Sequence, residues 1–149
     1  MLIGSTFSES VIGAAIDVHK SLGPGLLESA YQRCLAIELQ CRGLPFEAQL
    51  RVPLIYRGRP VDCDYRIDFL VGRELVVEIK SADRLLPVHT AQILTYLRIL
   101  HVPHGLLLNF NSPTLRSGLR SFHAARETYS PAGSPQTAAN STVSSGPPR

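Results

Sequence analysis

At 149 residues the chain is sized for one domain with a hydrophobic core of its own. Its 44% apolar content is ordinary for a soluble globular protein, and no apolar run reaches the length that spans a bilayer. A net charge of +3 and a pI near 9.0 permit nucleic acid as a partner but fall short of the dense basic patch of a dedicated binder.

Ser8 to Leu22 reads as a first helix, with Ser8 as candidate N-cap and Val11, Ile12, Ala15, Ile16 and His19 at helical spacing. Gly23-Pro24-Gly25 breaks it. A second helix is expected from about Leu26 to Cys41, striped by Leu27, Ala30, Tyr31, Cys34, Leu35 and Leu39 and closed by Gly43 as its C′ residue. Cys34 and Cys41 fall seven apart on it and read as small core residues. The odd count of three cysteines, without metal spacing or a signal peptide, points to a reducing, cytoplasmic setting.

A β region follows. Phe46 to Tyr56 alternates imperfectly, and Pro53 marks an edge or a bulge. Arg57-Gly58-Arg59-Pro60 is a turn, and Val61 to Val71 reads as one strand. Its alternation puts Cys63, Tyr65, Ile67 and Phe69 on one face, with Asp62, Asp64, Arg66 and Asp68 on the other. After the turn at Gly72, Glu74 to Ser81 forms the central strand, paired antiparallel to the one before it. Pro87 opens a third helix that runs to about His101. Gly105 to Phe110 has the near-continuous apolar run of a strand buried on both faces, and Thr114 to Phe122 reads as a last short helix. The order is α-α-β-β-β-α-β, an α+β or three-layer α/β domain over residues 1–123. Residues 124–149, rich in Ser, Pro and Ala, are expected to be a disordered tail.

The central strand carries the chemistry. Leu75, Val77 and Ile79 share one face, so Glu78 and Lys80 project from the other. The plainer reading is an ion pair on a solvated sheet face. The other is a site: Lys80 is one of two lysines in a chain that otherwise uses Arg, and the two cations are not interchangeable. Pairing near residues 69 and 77 would bring Asp68 beside Glu78. Two carboxylates can hold a divalent ion at a scissile phosphate, with an ammonium to position the nucleophile. Glu28, early on the second helix, could add an acid, with Tyr31 one turn later. His89, Gln92 and Tyr96 recur at three and four residues on the third helix, and Gln92 could bond a metal water or a phosphate oxygen. Taken singly, Glu28 is a helix-start acid, Asp68 a strand-end residue, Gln92 and Tyr96 interface polar groups and His89 a partly exposed helix-start residue. The histidines show no zinc spacing, and no phosphate-binding glycine loop appears.

The segment Gly25-Leu26-Leu27-Glu28-Ser29-Ala30-Tyr31 resembles the signature that names the GxxExxY proteins, mostly bacterial and assigned to the PD-(D/E)xK nuclease-like superfamily. The likeness extends over about residues 8 to 122, through Tyr65-Arg66-Ile67-Asp68, Val77-Glu78-Ile79-Lys80, Ala91 to Leu97 and Leu107-Leu108-Asn109-Phe110. It implies a restriction-endonuclease-like core, a central mixed sheet flanked by helices. Asp68 would be the first acid, Glu78 and Lys80 the E-x-K, Glu28 the helix acid and Gln92 the following glutamine; Ile67 stands where many members carry proline. The resemblance implies Mg²⁺ or Mn²⁺ held by Asp68, Glu78, the Ile79 carbonyl and Glu28. DNA or RNA would be the substrate, contacted by Tyr31, Arg66, His89 and Tyr96, with no membrane involvement and with a homodimer or accessory protein as a possible aid. The alternative is a nucleic-acid-binding or assembly module that keeps the fold without turnover.

Overall fold

Helix α1 (Ser8–Leu22) and helix α2 (Glu28–Cys41) cover one side of a sheet, and α3 (Pro87–Leu100) covers the other. The computed structural model describes residues 7–124; the expected tail, Ala124 apart, lies outside them. Five strands form the sheet in the order β1 (Phe46–Arg51), β4 (Arg66–Val71), β5 (Leu75–Lys80), β6 (His104–Asn109), β7 (Leu119–His123). β5 is central, as the sequence implies. It runs parallel to β6, reached through α3, and every other pairing in this sheet is antiparallel. A separate two-stranded hairpin, β2 (Leu54–Tyr56) with β3 (Arg59–Val61), stands off the sheet.

Alternation on β5 divides the core in two. Leu75, Val77 and Ile79 pack with Val11, Ala14 and Leu35 beneath α1 and α2. Val76 packs with Ile93, Leu97 and Leu107 beneath α3. Period-two geometry therefore places Glu78 and Lys80 on the α3 side. β6 is buried along its length after His104, as expected for a strand covered on both faces.

Helix ends follow local chemistry. Gly43 takes a left-handed conformation (φ 66°) and closes α2, with the Leu44 N–H donating to the Leu39 carbonyl at 3.0 Å. Pro87 begins α3, where a missing N–H is harmless. Ser8 is the first residue of α1 rather than its cap; Phe7 holds that place and accepts the Val11 N–H at 2.9 Å.

Four further expectations need correction. The single strand over Val61–Val71 is two strands separated by four residues outside any strand: β1 ends at Arg51, the Tyr65 carbonyl accepts the Val52 N–H at 2.7 Å, and Asp62 to Asp64 find no ladder partner. The clean alternation there also fails. Ile67 and Leu70 face α3, whereas Phe69 and Val71 face α1 and α2. Opposite the switch, Gln49 on β1 has φ 54°, and that left-handed residue turns the paired strands over together. The proposed helix at Thr114–Phe122 is a single 3₁₀ turn, Arg116–Gly118, followed by β7, whose pairing with β6 outweighs its weak helical pattern. Finally, Cys41 is exposed, while Cys34 packs against the core.

Candidate metal and catalytic site

The β4–β5 ladder ends at Phe69 opposite Val77, the register the sequence suggests. In place of the next rung, two carboxylates take the backbone donors. The Asp68 N–H donates to Glu78 Oε1 at 3.1 Å, and the Ile79 N–H donates to Asp68 Oδ2 at 2.7 Å. Each acid is thereby fixed by the strand that carries the other. Both are buried, 8% exposed for Asp68 and 5% for Glu78. Neither forms an ion pair within 4 Å among the described residues, so the Glu78–Lys80 pair on a solvated face is not what the strand makes.

Burial raises both carboxyls. Asp68 is pushed up to about 6 by desolvation, with the Ile79 N–H opposing and the charge of Glu28 adding to the rise. Glu78 is pushed up to about 8 by desolvation and then by the charge of Asp68. Lys80 is near enough to lower both without contacting either.

Around this pair the other predicted residues divide. Gln92, on α3, accepts from Lys80 Nζ at 3.5 Å and donates to the Tyr96 hydroxyl at 2.9 Å, so the ammonium, amide and phenol form one chain beside the carboxylates. Burial and then the Glu78 charge raise the Tyr96 hydroxyl. Glu28 is exposed and accepts the Ser81 N–H at 3.3 Å; its charge is felt by both acids. Arg66 is turned outward in a 2.9 Å ion pair with Asp64. His89 Nδ1 accepts the Leu86 N–H at 3.0 Å, which makes it a cap on α3 rather than part of the carboxylate cluster.

Tyr31, expected against the substrate, is fully buried. Its ring stacks on Phe110 with centroids 4.6 Å apart, and its hydroxyl donates to the Gly23 carbonyl at 2.5 Å while accepting the Leu26 N–H at 3.1 Å. Gly23 and Gly25 adopt φ 67° and 101°, so this loop needs glycine and is tied down by the tyrosine. The loop in turn reaches the end of β5, where Ser81 Oγ donates to the Leu26 carbonyl at 2.6 Å. In the Gly25…Glu28…Tyr31 signature only the glutamate faces the site. Tyr31→Phe is expected to cost about 1–3 kcal/mol in urea denaturation, since it removes two part-buried hydrogen bonds worth about 1 kcal/mol each. A midpoint unchanged from wild type would show that the loop does not depend on this hydroxyl.

Two contacts to Asp68 escaped the sequence reading. Gln32 Nε2 donates to Oδ1 at 2.6 Å, and the Gln49 amide lies near enough to favour the ionised carboxylate. Gln32 lies four residues after Glu28 on the same helix face, a signal that was available; Gln49 had none beyond the strand register.

The donor set suits a hard, oxygen-seeking cation. Glu78 accepts the Asp68 N–H through Oε1. The Lys80 carbonyl accepts the Phe110 N–H at 2.9 Å on the β6 side, so strand alternation turns the Ile79 carbonyl toward the gap left by β4. Two carboxylates and one carbonyl, completed by water, match what Mg²⁺ asks of a protein. No cluster of three or more His, Cys, Asp and Glu capable of holding a metal occurs among the described residues, so Glu28 does not complete an all-protein cage.

A family model described as the PD-(D/E)XK nuclease superfamily matches residues 5–122. The chain belongs to this superfamily. The mixed sheet flanked by helices is the restriction-endonuclease-like fold expected of it. PD-(D/E)XK nucleases generally use divalent metals, and membership points to nuclease activity. No curated protein and no solved structure matches the chain. Among the described residues, no helix is long and apolar enough to cross a membrane.

Proposed function

We propose that the protein is a divalent-metal-dependent nuclease that hydrolyses phosphodiester bonds in DNA or RNA. The observation that carries this reading is the reciprocal locking of Asp68 and Glu78. Two buried carboxylates without an ion-pair partner are costly in a structural role, and a bound cation would relieve that cost. The Gly25-to-Tyr31 segment supports a place among the GxxExxY proteins.

Asp68, Glu78 and the Ile79 carbonyl would hold Mg²⁺ or Mn²⁺, with Glu28 binding an outer water or a second ion. When bound, the ion polarises a phosphoryl oxygen and makes a bound water more acidic. Lys80 carries the remaining charge: its ammonium orients the attacking water and offsets negative charge growing on the phosphate. Gln92 holds Lys80 through its carbonyl oxygen, and Tyr96 fixes which end of that amide faces the ammonium. Gln32 keeps the Asp68 carboxylate turned into the site.

The test is incubation of purified protein with end-labelled single- and double-stranded DNA and RNA, with Mg²⁺, with Mn²⁺ and with EDTA. Metal-dependent cleavage that disappears in the Glu78→Ala/Lys80→Ala double variant is the expected result. Cleavage that persists in the double variant refutes the site. A second reading, a nucleic-acid-binding module without turnover, draws on the lack of a three-acid cluster among the described residues. It predicts salt-dependent binding with no cleavage under any metal.

A further inference from the structure

On the α3 side of the sheet lies an apolar cavity of about 300 Å³. Its walls include Val52 and Leu54 from the β1–β2 region, Tyr65, and Val88, Gln92 and Tyr96 from α3. Gln92 is also the residue bonded to Lys80, so the cavity and the proposed site share a side chain. Tyr65 and Tyr96 present their rings to each other at 6.4 Å and 58°, an open aromatic corner rather than a closed stack. Tyr65 is 45% exposed and Val88 63% exposed, so a large apolar surface is left facing water at the rim.

The hairpin extends this surface. Leu54 pairs with Val61 and Tyr56 with Arg59, so Leu54, Tyr56, Arg59 and Val61 share one hairpin face. The face that gives Leu54 to the cavity thus carries Tyr56, 69% exposed, and an exposed arginine farther out. The tip is a two-residue turn in which Arg57 (φ 50°) and Gly58 (φ 72°) are both left-handed, and it displays a second exposed arginine. Neither Arg57 nor Arg59 forms an ion pair among the described residues, whereas Arg51 and Arg66 share Asp64.

We infer that this cavity binds an unpaired nucleobase of the substrate strand, and that the β2–β3 hairpin clamps the adjoining backbone through Tyr56, Arg57 and Arg59. Aromatic and aliphatic walls suit the flat face of a base, and the Gln92 amide and Tyr96 hydroxyl offer polar partners for its edge. Uncompensated arginines beside exposed aromatic rings are the composition of a single-strand track. A second copy of the chain would suit the apolar walls equally but would gain nothing from two unpaired arginines at the tip. The inference rests on the nuclease reading and adds a preference: the strand must be single, frayed or flipped at the site of attack.

The test is binding, measured in EDTA so that it is independent of cleavage. Fluorescence anisotropy of the full chain compares a labelled single strand with the same sequence as a blunt duplex, and 2-aminopurine placed along the strand reports stacking. The single strand is expected to bind at least tenfold tighter. Ala91→Phe, which fills the cavity from an exposed helix position without changing charge, and Tyr65→Ala should each remove most of that difference. The 2-aminopurine quenching should vanish with them, while Arg57→Ala/Arg59→Ala should weaken binding and flatten its salt dependence. Thermal melts of each variant establish folding, and the two cavity variants act on different elements, so misfolding of one leaves the other decisive. Equal affinity for single strand and duplex overturns the inference. So does a wild-type dimer in analytical ultracentrifugation that Ala91→Phe converts to monomer, because the cavity would then hold a partner copy. Selective strand binding without cleavage under any metal would leave this inference standing and defeat the nuclease reading; cleavage indifferent to Ala91→Phe would do the reverse.

Discussion

Glu78→Gln is expected to reduce metal-dependent cleavage by roughly 10³-fold or more while making the metal-free protein more stable above pH 8. The loss follows from removing a ligand charge where a metal's electrostatic stabilisation is worth several kcal/mol. The gain follows from the burial of Glu78, whose ionised form is disfavoured by desolvation and by Asp68. An amide keeps a carbonyl oxygen to accept the Asp68 N–H, so the locked geometry survives without a charge to bury. Asp68→Asn should cut cleavage alike but gain less stability, since its one amide oxygen cannot accept from both the Ile79 N–H and Gln32. Initial rates on the substrate that wild type cleaves, together with urea midpoints at pH 6 and 9, check both halves. A variant within tenfold of wild-type rate refutes the assignment. A structural role for the pair predicts the opposite stability result, destabilisation when either charge is removed.

Much of the fold was readable because its central strand is simple. Leu75, Val77 and Ile79 alternate with polar and apolar neighbours, and that alternation alone put Glu78 and Lys80 on one face, the face the fold covers with α3. The pairing of Phe69 with Val77 followed from one short turn at Gly72. The reading failed where neighbours in space, not in sequence, decide geometry. Asp62 to Asp64 have a strand's pattern but no partner strand. The reversal of β4 at Asp68 depends on the left-handed Gln49 across the ladder, which no local pattern marks. Tyr31 stands one turn from the helix acid, yet Phe110 and the Gly23 carbonyl draw it into the core. The residue types of the site were therefore legible, whereas the division between those that face the opening and those that hold the frame was not.

A second large effect links pH, stability and metal. Without divalent ions the folded protein should lose stability as pH rises from about 4 to about 8. In the unfolded chain Asp68 and Glu78 ionise near 3.8 and 4.5, whereas in the fold they keep their protons to about 6 and about 8. The folded state then binds more protons than the unfolded one, so the slope of stability against pH is negative. It reaches about 1.4 kcal/mol per pH unit for each group between its two values. The contribution is complete below the unfolded values and is lost as pH passes the folded ones, Glu78 last. Mg²⁺ or Mn²⁺ should reverse this. A cation held by the two carboxylates displaces their protons, flattens the slope, and at a hundred times its dissociation constant adds about 2.7 kcal/mol. Thermal melts from pH 5 to 9, with EDTA and with saturating Mn²⁺, measure the difference, and titration calorimetry in two buffers counts the protons released. Glu78→Gln should lose most of the alkaline slope and most of the response to metal. Parallel curves with and without Mn²⁺ would mean that the raised carboxyls do not bind the ion, and that the acid pair is a buried proton store within the fold.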